Sequence, residues 1–94
     1  MKIEPQRMAL DAACDLEMML SQDVNLGEMS VGGLAGRLMQ ASYRWGVLKA
    51  IIECVPEIFA EKEKEWLRKL EAEAEKMVDE LCDAIEYPEK TKKE

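Results

Sequence analysis

The sequence predicts an all-α protein, a three-helix bundle or helical hairpin with a long C-terminal helix, expected to dimerise. Three observations carry this expectation. Apolar residues recur at helical spacing along nearly the whole chain, most regularly at Val31, Leu34, Leu38, Ala41, Trp45, Leu48, Ile52 and Val55. Turn formers are scarce, with 5 Gly and 3 Pro in 94 residues, too few for a protein of short strands and tight turns. Apolar content is 48% and charged content 35%, which suits helices with one dry and one wet face. Residues 1–94 are expected to form a single helical domain, since chains of about 100–200 residues usually make one.

The first helix is expected over residues 5–23. Pro5 suits a first helical position, where its missing N–H is not needed. Met8, Ala9, Ala12, Ala13, Leu16, Met19 and Leu20 share a broad apolar face, opposite Arg7, Asp11, Asp15 and Gln22. Met18 falls on the polar side. The connector Val24–Ser30 holds two candidate caps for the next helix. Asn25 with Glu28 has capping-box spacing, and Ser30 is an N-cap residue in its own right.

The second helix is expected over residues 30–54. Val31, Leu34, Leu38, Ala41, Trp45, Leu48, Ile52 and Val55 alternate steps of three and four, an unbroken heptad seam. Beside it runs a stripe of small residues, Ala35, Ser42, Gly46 and Ala50, with Met39 among them. Glycine within a helix costs about 1 kcal/mol relative to alanine. The presence of Gly32, Gly33, Gly36 and Gly46 therefore predicts a close approach of another helix. Two packing surfaces on one helix mark it as the centre of a bundle.

Val55-Pro56 should end this helix, because the residue before proline avoids helical geometry. Pro56 would then open the third helix, expected over residues 56–86. Leu67, Ala74 and Leu81 occupy one heptad position, and Leu70, Met77 and Ala84 the other. Ahead of them, Glu61–Glu65 is charged on every face. Such a helix would be roughly 46 Å long against roughly 28 Å for the first, so part of it should overhang or pack on a second copy. Residues 88–94 read as a charged tail.

Charge and cysteine usage narrow the function classes. With 20 acids against 13 bases the net charge is −7. That argues against nucleic acid as a direct partner, because phosphate neutralisation supplies most of such affinity. Cys14, Cys54 and Cys82 are odd in number, far apart and set in apolar helical patterns. They read as core thiols in a reducing compartment. A reactive thiolate needs an electropositive setting, and the neighbours here are Asp15, Glu53 and Asp83. Met1–Gln6 shows no signal-peptide pattern, and no apolar run approaches the roughly 20 residues of a membrane span. A cytoplasmic location without membrane contact is expected.

Few residues offer chemistry. The chain has no histidine, so it lacks a His base, a His ligand and a triad. Gly32-Gly33-Leu34-Ala35-Gly36-Arg37 lacks the preceding strand and the following Lys-Ser/Thr of a phosphate loop. Glu80 and Asp83 have an E-x-x-D spacing one turn apart, similar to all-helical Mg²⁺-dependent nucleotide pyrophosphohydrolases. Those enzymes also carry an earlier E-x-x-E, and none precedes Glu80 here. No cofactor, metal or catalytic residue is expected.

The function that fits is a small acidic non-enzymatic interaction module, an adaptor, chaperone or regulator, working as a homodimer through helix–helix packing. Its core or interface should comprise Leu34, Leu38, Trp45, Leu48, Ile52, Trp66 and Leu70. Met18, Met29, Arg37, Arg44, Glu61 and Glu65 are candidate partner contacts. Methionine adapts to varied surfaces. Arg37 and Arg44, aligned seven residues apart, make the basic spot of an acidic chain, where ion pairs to neighbouring helices are the simpler expectation. An alternative is an acidic inhibitor of the kind phages and mobile elements encode, binding a basic nucleic-acid-handling protein. Residues 56–86 carry 11 acids and 5 bases, and the interspersed bases weaken that reading. A helical Mg²⁺ pyrophosphohydrolase is the remote alternative.

Overall fold

The computed structural model describes residues 4–87, and among them every regular element is helical. The expected tail, residues 88–94, lies outside the described residues. Helix α1 spans Pro5–Ser21, α2 spans Val31–Cys54 and α3 spans Glu61–Glu86. A 3₁₀ turn over Leu26–Glu28 joins the first pair, and another over Pro56–Ile58 joins the second. Helix α2 is central and packs on both α1 and α3, which meet each other less extensively.

Both candidate caps in the first connector are used, each for a different element. Asn25 Oδ1 accepts from Gly27 N at 3.0 Å and caps the 3₁₀ turn. Ser30 Oγ accepts from Gly33 N at 3.0 Å and caps α2, satisfying one of the orphan donors of its first turn. Helix α1 opens with Pro5 at its first position and has no side-chain cap.

The start of α3 differs from the expectation. Pro56 opens only a 3₁₀ turn. The backbone is then extended at Phe59 and Ala60, and α3 begins at Glu61. Phe59 is 4% exposed, so the chain breaks helical geometry where that ring enters the core. Glu63 Oε1 then accepts from Ala60 N at 3.0 Å, tying the entry to the first turn. At 26 residues, α3 is about 39 Å long, close to the roughly 36 Å of the 24-residue α2. The two long helices match each other, while the 17-residue α1, about 26 Å long, remains shorter than α3 as expected.

The core is one continuous cluster. Leu16, Leu48, Leu67 and Leu81 are its largest fully buried side chains, each stabilising the fold by about 2 kcal/mol through lost water contact. Ala9, Ala12 and Ala13 bring α1 close to its neighbours. All six heptad residues expected of α3, Leu67, Leu70, Ala74, Met77, Leu81 and Ala84, are buried.

Three further expectations are corrected. Cys14 and Cys54 are exposed and Cys82 is half-buried, so only one thiol is near the core. Successive helical residues lie about 100° apart, which carries Cys14 off the arc that Ala13 occupies. Met8 is 40% exposed rather than core. Val31, the first residue of α2, is 67% exposed rather than part of the buried seam.

Candidate interaction surface

The seam of α2 is filled within the chain. Leu34, Leu48 and Ile52 are buried, as is Leu70 on α3. Of the two roles expected of these four, core or partner and dimer interface, the single chain shows the first. Leu38, Trp45 and Trp66 are partly buried against the same core. Lys49 Nζ lies 5.3 Å from the Trp45 ring centroid. Trp66 Nε1 donates to Glu17 Oε2 at 3.2 Å, fastening α3 to α1.

The arginines of α2 reach α1. Arg44 Nε pairs with Asp15 Oδ2 at 3.0 Å and its Nη1 donates to the Gln40 carbonyl at 3.1 Å. Arg37 does something the sequence did not suggest. Its guanidinium donates to the Met19 carbonyl and to Gln22 Oε1, both at 2.8 Å. It thereby satisfies a carbonyl in the last turn of α1 and places a cation at the negative end of that helix. Both arginines are engaged within the chain: Arg44 makes the expected ion pair to a neighbouring helix, whereas Arg37 finds an amide and a carbonyl of α1 in place of an acid.

The remaining candidates divide. Met29 is half-buried against the core, and its Cε lies 3.4 Å from where a Cβ on Gly33 would stand. It supports the start of α2 rather than facing a partner. Met18 is 63% exposed on α1. Glu61 and Glu65 are exposed at the start of α3, where Glu61 pairs with Lys64 at 3.1 Å. Such an i,i+3 pair is worth a few tenths of a kcal/mol. Glu80 and Asp83 are exposed on α3, and among the described residues no group of three His, Cys, Asp or Glu converges to hold a metal.

The small-residue stripe does not pack as the sequence suggests. A Cβ added at Gly36 or at Gly46 would meet nothing within 4 Å. No helix of this chain lies against them, because α1 and α3 both occupy the other side of α2. What remains outward is an arc formed by Gly32, Ala35, Gly36, Met39, Tyr43, Gly46, Ala50 and Cys54. Met39 is 73% exposed and Tyr43 68%. Glu53 is the one charged residue in this arc, on a chain that is 35% charged.

Beside the arc lies a groove between α1 and α2 of about 190 Å³, lined by Met8, Ala12, Tyr43 and Val47 and by the charged Asp11, Asp15 and Arg44. A second hollow of about 630 Å³ lies at the start of α1 beside Arg7, Leu10, Asp11 and Ile58. It is wide open and gathers no set of convergent polar groups. Among the described residues no helix is long and apolar enough to cross a membrane.

No family model matches the chain, and neither the curated proteins nor the solved structures include a match to it.

Proposed function

We propose that this chain is a non-enzymatic protein-interaction module, an adaptor, chaperone or regulator, that works by packing the outward face of α2 against another helix. One observation supports this most. Met39 and Tyr43 stand exposed between open glycines on an almost uncharged helix face. Large apolar residues set among small ones make knobs and holes, the geometry by which helices recognise helices. The surrounding charges on α1 and α3 would set orientation and exclude wrong partners.

The test is site-specific photo-crosslinking in cell extract. A crosslinker replacing Tyr43 should trap discrete protein adducts that one replacing the exposed Arg68 of α3 does not. Equal adducts from both positions, or adducts from Arg68 alone, would remove α2 as the contact. The second outcome would favour the alternative of an acidic inhibitor. That reading is supported by the exposed Glu61, Glu65, Glu73 and Glu75 on α3, and it predicts binding that weakens steeply with salt.

A further inference from the structure

We infer that the outward face of α2 is the two-fold contact of an antiparallel homodimer, with Met39 of each copy seated over Gly46 of the other. This names the first occupant of the face described above and rests on that reading.

The spacing of the face is the first argument. Gly32, Gly36, Met39, Tyr43, Gly46 and Ala50 follow one another in steps of four, three, four, three and four. This is a second heptad seam, on the side of α2 opposite the one that fills the core. Helix α2 runs from Val31 to Cys54, so its middle falls between Ser42 and Tyr43. An antiparallel copy centred there sets residue 39 against residue 46 and residue 36 near residue 50. Bulk then meets space: Met39 falls on Gly46, and Gly36 on Ala50. A parallel, in-register copy would set Met39 on Met39 and leave Gly46 facing Gly46. The antiparallel arrangement also opposes the two helix dipoles favourably. It is isologous, so one self-complementary patch serves both copies.

Charge is the second argument. Each copy carries −7, so most approaches bring acids together. The α2 face is where two such copies can meet without opposed acids.

The test is sedimentation equilibrium of the purified, reduced full chain from about 1 to about 300 μM, a range that brackets interfaces of modest size. The expected result is a reversible monomer–dimer equilibrium, with a dimer of twice 10.7 kDa. Met39→Glu and Gly46→Met should each weaken it at least about tenfold. Met39→Glu should keep the helical circular dichroism and the monomer's melting, and Gly46→Met should keep the helix and raise the melting, since both positions are open in the single chain and glycine is a poor helix former. Orientation is read from nitroxides on A50C, in a chain whose own cysteines are replaced by serine. Antiparallel packing separates them by about 21 Å along the helices, and parallel packing brings them within about 12 Å. A monomer at every concentration overturns the proposal, as does a dimer indifferent to both variants or a short nitroxide distance. The monomer result with Tyr43 still crosslinking a different protein would overturn the dimer and leave the interaction reading standing. A dimer with no foreign adducts from Tyr43 would do the reverse.

Discussion

Arg37 and Arg44 sit one heptad apart on the same helix and both reach α1, yet they should contribute very differently. Arg37 makes two charged hydrogen bonds, one to a backbone carbonyl in the last turn of α1. Charge-assisted bonds contribute about 1.5–3 kcal/mol when shielded, and partial exposure lowers that. Arg37→Ala should therefore destabilise by about 1–2 kcal/mol in urea unfolding. Arg44 and its Asp15 partner are more open, and surface pairs of this kind are worth about 0–1 kcal/mol. Arg44→Ala should cost less than half as much as Arg37→Ala, and equal losses would contradict this division. Trp45 gives another contrast. Its Nε1 is buried without a hydrogen-bond partner among the described residues, a condition that costs about 1–3 kcal/mol. Trp45→Phe removes that donor along with part of the ring, so the net change should stay within about 1 kcal/mol. The sequence placed both arginines on one face but could not show which carbonyl Arg37 would find. That contact depends on where α1 ends, and the end of α1 is set by tertiary packing.

At the scale of the helices, the break between α2 and α3 is the feature that periodicity conceals. Pro56 suits a first helical position, and nothing local forbids α3 from starting there. Phe59 decides otherwise, because burying its ring requires an extended backbone at residues 59 and 60. Phe59→Ala should cost about 3–5 kcal/mol, as for other large-to-small changes at buried aromatic positions. Ser30→Ala should cost about 1 kcal/mol through the lost cap on α2. Both are read from urea midpoints at unchanged slope. The apolar residues of α3 were legible because Leu67 through Ala84 hold strict heptad spacing, and all six are buried. On α2 the large-residue seam was legible, and so was a small-residue stripe through Met39, Gly46 and Ala50, though not the place of Tyr43 in that face. Which of them the chain itself covers was not. One seam holds Leu34, Leu48 and Ile52 and gains most by burial. The other holds glycines and lies open. The choice is settled by where α1 and α3 dock, a long-range property. Cys14 and Cys54 looked apolar by pattern and emerge exposed, Cys14 because it stands about 100° from the arc of Ala13 and Cys54 because it lies on the outward side of α2.

Taken whole, the molecule is a thin acidic slab with one nearly neutral side. That asymmetry sets the sign of its salt dependence. Contacts on the neutral face contain almost no opposed charges to screen, whereas two copies at −7 each repel one another. Raising salt from about 50 to about 500 mM shortens the screening length severalfold. Self-association should hold or strengthen, as followed by light scattering on an eluting peak. A mass that falls with salt would mean that ion pairs on α1 or α3 hold the contact instead. The most direct test of α2 as the interaction face is a dilution series of amide correlation spectra on isotope-labelled chain. An interface there predicts concentration-dependent shifts at Gly32, Gly36, Met39, Tyr43, Gly46 and Ala50, with weaker ones near Met8 and Val47. Shifts confined to the acidic face of α3 around Glu61–Glu75, or none at any concentration, would contradict it.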